Sequence, residues 1–228
     1  MMESILTHIY DKIAIAAIKS GRNASDVCLV GVTKTMDVIM AGKLVEAGLT
    51  DLGENKVQEL LPKYEALSKC DGLNWHFIGH LQRNKVKFII DKVKMIHSVD
   101  SLALAKEIDK RAKQVNKTID ILIEVNIASE ENKHGVSKED SSILAKEILT
   151  LKNIRLQGLM CIAPFVENPE DNRLCFENMR KLLVDINKWY PHNLKELSMG
   201  MSGDYAVAIE EGATMVRIGT ALMDKMIG

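Results

Sequence analysis

The sequence contains few of the residues that mark disulfide-rich, fibrous or linker-joined proteins. Of its 228 residues only 4 are proline and 4 are cysteine, and aromatic residues make up 4%. The cysteines form no CxxC pair and no framework of regularly spaced partners, so neither a disulfide scaffold nor a cysteine-based metal site is expected. No stretch rich in Gly, Ser or Pro divides the chain, which favours one domain over residues 1–228.

An excess of charge of either sign is also missing. The chain has 30 Lys and Arg against 31 Asp and Glu, whereas a nucleic-acid-binding surface needs a clustered basic excess. No apolar run is long and pure enough to span a bilayer. Glu3, Asp11 and Lys12 interrupt the apolar N-terminal stretch, which excludes a typical signal peptide. We therefore expect a cytoplasmic protein with no nucleic-acid or membrane partner.

Short β-branched runs alternate with longer segments of helical period along the whole chain. Strict strand–helix alternation implies parallel strands joined by right-handed crossovers. Eight such units in a chain of this length predict an α/β fold, a single (β/α)8 TIM barrel. The predicted strands are Val27–Thr33, Thr50–Gly53, Trp75–Gly79, Met95–Ser98, Asp120–Ile127, Arg155–Met160, Glu196–Met199 and Met215–Ile218.

Helical periodicity fills the segments between these strands. An extra N-terminal helix is predicted near Ser4–Ile18, before the first strand, and Asp100 is the expected N-cap of the helix after the fourth strand. The remaining predicted helices are Asp37–Glu46, Asn55–Ser68, Leu81–Asp91, Ser101–Val115, Lys138–Thr150, Asp171–Trp189, Asp204–Glu211 and a last one from Ala221 onward.

The first predicted strand, in "CLVGVTKTMDV", finishes on a lysine. Because strand side chains alternate, Lys34 is expected to share a face with Val30 and Val32 and to point into the barrel mouth. A partly desolvated lysine there has a lowered pKa and can act as a nucleophile that forms imines. The alternative is a strand-end lysine that reaches water.

The loops after the seventh and eighth strands have the composition of a phosphate site. Glycines, hydroxyl donors and free N–H groups at a helix start together bind phosphate, and barrels often bind it at these two loops. The alternative is that these residues are ordinary caps and turns. A lysine and a phosphate site at one mouth favour pyridoxal phosphate as the ligand. The residues concerned are Ser198, Gly200, Ser202 and Gly203 in "SMGMSGD", and Gly219 and Thr220 in "RIGTA".

Other polar residues near the strand ends carry weaker signals. His76 and His80 are four residues apart, but "HFIGH" reads as a strand entering a loop and lacks the glutamate of HExxH, so no metal site is expected. Asp51 and Glu54 are interpreted as charges on the barrel rim. Arg217 is predicted by alternation to point into the barrel, where an ion pair with a rim carboxylate such as Glu54 is one possible arrangement.

Several longer motifs resemble those of the pyridoxal-phosphate homeostasis protein family. They are "GVTKT", "LGENKVQE", "WHFIGHLQRNK", "IHSVDS", "EVNIASEENKHG", "LQGLMCIAP" and "LSMGMSGDYAVAIEEGATMVRIGTALM", and the match runs from about Leu29 to Met223. This family resembles the barrel half of alanine racemase standing alone, a fold-type III pyridoxal-phosphate protein. The resemblance implies a role in intracellular vitamin B6 homeostasis.

The resemblance also implies roles for individual residues. Lys34 would hold pyridoxal 5′-phosphate as an internal aldimine, Asn55 would lie beside the cofactor, and Arg217 would face the pyridine nitrogen. The phosphate would be bound by Gly219, Thr220 and one of the serines Ser198 and Ser202, and the sequence does not decide between these two. Lys133 in "NKHG" also matches the family pattern, and its role is left open.

Two functions are compatible with such a site. A racemase similar to alanine racemase needs a second base, a tyrosine from a separate β domain, and we expect no such domain because the chain ends at Gly228 after the last predicted helix. None of the tyrosines lies at a predicted strand end, although Tyr205 lies near the phosphate loop. We therefore expect a non-enzymatic monomer that holds and releases the cofactor, with apo-enzymes as candidate receivers. An amino-acid racemase is the alternative. The other tyrosines are Tyr10, Tyr64 and Tyr190.

Overall fold

The computed structural model describes residues 2–128 and 134–223. Eight parallel strands close into a barrel in chain order, with the last strand paired to the first. The predicted α/β class and (β/α)8 barrel are confirmed. The strands are β1 (Cys28–Val32), β2 (Asp51–Glu54), β3 (Asn74–Phe77), β4 (Met95–Val99), β5 (Ile119–Glu124), β6 (Ile154–Met160), β7 (Glu196–Met201) and β8 (Met215–Ile218).

Helices surround the barrel. The predicted N-terminal helix is present as α1 (Met2–Lys19), which packs against the helix that follows β7. None of the helices in the described ranges is long and apolar enough to cross a membrane. After α1 come α2 (Val38–Glu46), α3 (Val57–Ala66), α4 (Val86–Ile89), α5 (Leu102–Gln114), α6 (Lys138–Ile148), α7 (Arg173–Asn187), α8 (Tyr205–Glu210) and α9 (Thr220–Met223).

Two local predictions were wrong. The helix expected over Leu81–Asp91 is reduced to a 3₁₀ turn, Arg83–Lys85, followed by the single turn of α4, because Gln82 has an extended backbone that prevents an earlier start. Asp100 is not the N-cap of α5. Ser101 takes that position, with its Oγ accepting a hydrogen bond from the Leu104 N–H at 3.3 Å.

The buried interior has two compartments. An apolar layer lies between the strands and the helices and contains, for example, Leu52, Phe77 and Val216. Inside the barrel, a smaller apolar cluster fills part of the lumen with Met95, Leu122, Met160 and Met215, against which Cys28 packs. The lumen also contains buried polar groups, which determine the electrostatics of the candidate site.

One of these buried polar groups is Glu124, at the C-terminal end of β5 and 4% exposed. Burial raises the pKa of Glu124 from 4.5 to about 7, and the negative charge of Asp100 adds to the shift, while the Arg217 cation opposes it. The carboxyl group therefore titrates near neutral pH in the folded protein, which neither its residue type nor its motif indicated.

We predict that Glu124→Gln makes the stability of the fold less dependent on pH. Above pH 4.5 the unfolded chain ionises at this position while the folded chain stays protonated until about pH 7. The wild-type free energy of unfolding therefore falls across this window, by up to about 3 kcal/mol. Urea unfolding at pH 4.5 and pH 8 measures this. The free energy of unfolding of the variant should increase relative to that of wild type as the pH rises.

The matched control is Glu46→Gln, on the exposed side of α2. Its stability difference from wild type should change little over the same pH range. Equal pH dependence of Glu124→Gln and wild type would contradict the assignment.

Candidate functional site

The candidate site lies at the barrel mouth, the end of the barrel at which the strands finish. β1 ends at Val32, Thr33 is buried, and Lys34 lies in the turn that follows, where it is exposed. The exposure of Lys34 agrees with the alternative that the sequence left open, a strand-end lysine that reaches water, and strand alternation stops before this residue. Among the described residues, no hydrogen bond or ion pair holds the Lys34 amine.

The residue before Lys34 is fixed by a buried ion pair. Lys63 on α3 donates to Glu54 Oε1 at 2.6 Å and to the Thr33 carbonyl at 2.7 Å. The Thr33 hydroxyl donates to the same Glu54 oxygen at 2.6 Å, and the Thr33 N–H donates to the Gly53 carbonyl at 3.1 Å. The turn that presents Lys34 therefore starts from a rigid anchor, although Lys34 itself is exposed.

The Glu54–Lys63 pair corrects the interpretation of Glu54, and it adds Lys63 to the residues that support the site. Glu54 is fully buried on the helix side of β2, so it is not a rim charge and does not pair with Arg217. Lys63 is 2% exposed, and a buried lysine of this kind is stable only with a partner. Its position in a helix with other charged residues gave no signal of this role.

Asn55 follows β2 directly and is half-buried at the mouth. The loop after β3 packs closely against it: a Cβ on Gly79 would lie 2.3 Å from the Asn55 carbonyl oxygen and 2.7 Å from its Cα. Only glycine allows this approach, so Gly79 helps to set the position of Asn55.

The loops after β7 and β8 meet at one serine. The Ser202 Oγ accepts hydrogen bonds from the backbone N–H groups of Gly219 and Ala221, both at 3.2 Å. Thr220, between them, is exposed and opens α9. A hydroxyl and two backbone N–H groups therefore converge at the mouth, where an anion of suitable size can accept hydrogen bonds from them.

Ser198 lies elsewhere. It is fully buried in the lumen and accepts a hydrogen bond from Arg217 Nη1 at 2.6 Å. The second nitrogen, Arg217 Nη2, donates to the Cys161 carbonyl at 2.8 Å. Arg217 thus points into the barrel, as alternation predicted, and is 4% exposed. Burial lowers its pKa, while Cys161, Glu124 and other acidic groups favour the charged form.

The turn after β7 is held by residues that sequence analysis did not select. Asp204 accepts from the Met201 N–H at 2.7 Å and from Asn172 Nδ2 at 2.8 Å, and Asn172 also donates to the Pro164 carbonyl at 2.9 Å. These bonds join the loops after β6 and β7. Tyr205, the next residue, is buried in the core between strands and helices, and does not lie at a strand end.

A third group of polar side chains lies at the rim beyond β3, β4 and β5. His80 Nδ1 is 3.3 Å from Asp100 Oδ2, and the His80 and His134 rings stack 4.2 Å apart. The three could supply ligand atoms to a metal ion, although the two rings are nearly parallel, which directs their in-plane lone pairs side by side rather than at one point. A groove of about 980 Å³ beside His80 contains neither Lys34 nor Arg217. Lys133 lies outside the described residues.

Comparisons with known proteins identify the family. Residues 14–224 match the family model described as alanine racemase, N-terminal domain. The chain is 48% identical over 217 residues to the pyridoxal phosphate homeostasis protein of Aquifex aeolicus, covering 95% of each chain. It is 35% identical over 223 residues to the protein of the same name from Escherichia coli K12, covering 95% of this chain and 93% of that one.

Solved structures extend the similarity to three dimensions. PipY of Synechococcus elongatus PCC7942, solved with pyridoxal phosphate (PLP) bound, is 30% identical with a TM-score of 0.85, covering 97% of this chain and 99% of that one. An alanine racemase of Clostridium difficile 630, at 18% identity and a TM-score of 0.71, covers 86% of this chain and 54% of that one and shares the fold. The chain therefore belongs to the pyridoxal phosphate homeostasis protein family, as its motifs predicted.

Proposed function

We propose that this protein binds pyridoxal 5′-phosphate at the barrel mouth, holds it reversibly as a Schiff base on Lys34, and takes part in vitamin B6 homeostasis. The observation that carries the proposal is the placement of an exposed lysine, a converging set of anion donors and a buried arginine at the same end of one barrel. The names of the relatives and the PLP-bound PipY structure support it.

The donor set at Ser202 fits the phosphate of this cofactor. The Ser202 hydroxyl can donate to a phosphate oxygen once it is turned toward one. The Gly219 and Ala221 N–H groups, which now donate to Ser202 Oγ, can then donate to the phosphate as well. Gly203, next in the chain, has open space where a Cβ would stand. Of the two candidate serines we therefore assign Ser202 to the phosphate, since Ser198 is occupied by Arg217 in the lumen.

The position of Lys34 suits the aldehyde group of the cofactor. When bound, the cofactor supplies an electrophilic carbonyl that an amine captures reversibly. Lys34 presents its amine from a turn whose first residue, Thr33, is fixed by Glu54 and Lys63. Because Lys34 is exposed, a competing amine from solution can approach the same position. This arrangement suits holding and release more than prolonged sequestration.

Arg217 is proposed to face the pyridine nitrogen. Two of its N–H groups are used by Ser198 and the Cys161 carbonyl, and the guanidinium has five in all. It can only donate and does not release its proton at ordinary pH. A ring nitrogen opposite Arg217 therefore remains unprotonated, which weakens the ring as an electron sink.

This electrostatic argument favours a carrier over a racemase. A racemase also needs a second base, and Tyr205 is buried in the core between strands and helices. Glu124 is the remaining acid–base group in the lumen that titrates near pH 7, among the residues that the structure describes. We propose that the protein is not an enzyme, acts as a single-domain monomer in the cytoplasm, and passes its cofactor to apo-enzymes.

Reductive trapping tests the lysine. Borohydride treatment of the protein loaded with pyridoxal phosphate should fix the cofactor on Lys34, and peptide mapping should locate the adduct there. Lys34→Ala should lose the visible absorbance of the bound cofactor, because it removes the amine that is proposed to hold the cofactor. Lys56→Ala, which removes another exposed lysine close in sequence, is the control. An adduct mainly on other lysines would overturn the assignment.

Comparison with unphosphorylated pyridoxal tests the phosphate site. A dianion that accepts several charge-assisted hydrogen bonds, each worth about 1.5–3 kcal/mol, should bind at least about 100-fold more tightly than pyridoxal. Ser202→Ala should reduce this preference, and Ser68→Ala, an exposed serine at the end of the α3 segment, should not. Equal affinities for both ligands in wild type would mean that the two loops are only structural.

Hydrogen exchange at Cα separates the carrier from the racemase. The loaded wild-type protein should exchange amino-acid Cα–H in D₂O far more slowly than the roughly 10 per second typical of enzymes, because Arg217 leaves the ring nitrogen unprotonated. NMR across a panel of amino acids measures it. Exchange at enzymatic rates in wild type would instead support the racemase function. Loss of that exchange in Glu124→Gln would identify Glu124 as the base.

A further inference from the structure

A continuous chain of buried hydrogen bonds runs from Arg217 on β8 across the lumen and back to Asp51 on β2. Arg217 Nη1 is 2.6 Å from Ser198 Oγ, and Ser198 Oγ is 2.9 Å from His97 Nδ1. His97 Nε2 is 2.8 Å from His76 Nδ1, and His76 Nε2 is 2.9 Å from Asp51 Oδ1. The chain passes from β8 through β7 to β4, β3 and β2, so it crosses the lumen.

Its direction follows from the chemistry at the two ends. Arg217 can only donate, so Ser198 Oγ accepts there and its own hydroxyl proton is free to donate to His97 Nδ1. At the other end, hydrogen bonds from His76 and Thr50 outweigh burial and hold the pKa of Asp51 below its ordinary value, so the carboxylate accepts from His76 Nε2.

The middle of the chain is then determined. Burial, together with the neighbouring His76 ring and the Arg217 cation, lowers the pKa of His97 well below its ordinary value, so His97 is neutral. Because its Nδ1 accepts from Ser198, its proton lies on Nε2 and donates to His76 Nδ1. Each of the four bonds has one donor and one acceptor, and all point from the arginine to the carboxylate.

We propose that His97 and His76, acting through Ser198, are positioning residues that hold Arg217 toward the ring nitrogen of the cofactor. The proposal rests on the proposed function, which places that nitrogen opposite Arg217. His97 accepts the hydrogen bond of the Ser198 hydroxyl. This fixes the hydroxyl so that one of its lone pairs is directed at the guanidinium. Without it the hydroxyl can rotate and Arg217 loses one of its two fixed contacts.

The arrangement also explains why two histidines are buried in a lumen. His76 uses both ring nitrogens within the chain, so it has no free nitrogen for the metal site considered from "HFIGH". A buried, fully satisfied polar chain of this kind fixes one side-chain arrangement, whereas a partly satisfied one would be costly.

The first test uses the protein without cofactor. Long-range ¹H–¹⁵N NMR of the wild-type protein should show His97 and His76 neutral at pH 7, each with its proton on Nε2. A doubly protonated ring, or a proton on Nδ1 of His97, would overturn the proposal whether or not pyridoxal phosphate binds.

The second test uses Ser198→Ala with two ligands, pyridoxal phosphate and its 1-deaza analogue, whose ring carries carbon in place of nitrogen. The variant should bind pyridoxal phosphate about tenfold more weakly than wild type and shift the absorbance of the bound cofactor. The deaza analogue should bind wild type and variant alike, since it has no ring nitrogen to face Arg217. His97→Gln should change binding in the same direction, and Ser198→Thr should restore it.

The matched control is Ser98→Ala, which removes a buried hydroxyl on β4 that donates to the Gly79 carbonyl outside the chain. It should leave the preference between the two ligands unchanged. Equal losses for both ligands in Ser198→Ala would make the chain merely structural and overturn the proposal. Failure of wild type to bind pyridoxal phosphate at all would instead reject the proposed function. The NMR result would still show whether the hydrogen bonds from Arg217 to Asp51 have the proposed direction.

Discussion

The buried charge of Arg217 is the constraint on which the lumen of this barrel depends. A guanidinium that is 4% exposed must exchange its lost hydration for protein acceptors. Arg217 donates to Ser198 and to the Cys161 carbonyl. From Ser198 the hydrogen bonds continue through the two histidines to the carboxylate of Asp51. The two histidines lie between a cation and an anion that are not paired with each other.

The second fixed point lies on the outer side of the strands. Lys63, Glu54 and Thr33 form a compact buried unit around the end of β1. Removing one partner from such a unit is costly, by about 3–5 kcal/mol, because a charge is left buried without compensation. The mouth is thus bordered by two rigid anchors, one inside the barrel at Arg217 and one outside it at Thr33. Lys34 follows Thr33 directly and is exposed to solvent.

Sequence patterns predicted the features that depend on local order. Alternation of strands and helices predicted the barrel, and alternation of side chains placed Arg217 in the lumen. The same rule does not fix the direction of the Lys34 side chain, because the strand ends two residues earlier. The contacts between His97 and Ser198, 101 residues apart, and between Thr33 and Lys63 could not be predicted. They depend on barrel closure and on which side of a helix or strand meets a neighbour, and no short motif encodes either.

The two anchors have opposite consequences for chemistry. In the proposed function, a donor-only arginine at the ring nitrogen would suppress the electron withdrawal that carbanion chemistry requires, while an exposed lysine would keep the exchange of one amine for another accessible. A site built for catalysis at Cα would need the reverse, an acid at the ring nitrogen and a protected pair of bases. The lumen instead places the buried carboxylate of Asp51 at the far end of the histidine chain. Under the proposed function, the polar groups of this barrel would therefore retain a reactive aldehyde while limiting the reactions that it undergoes.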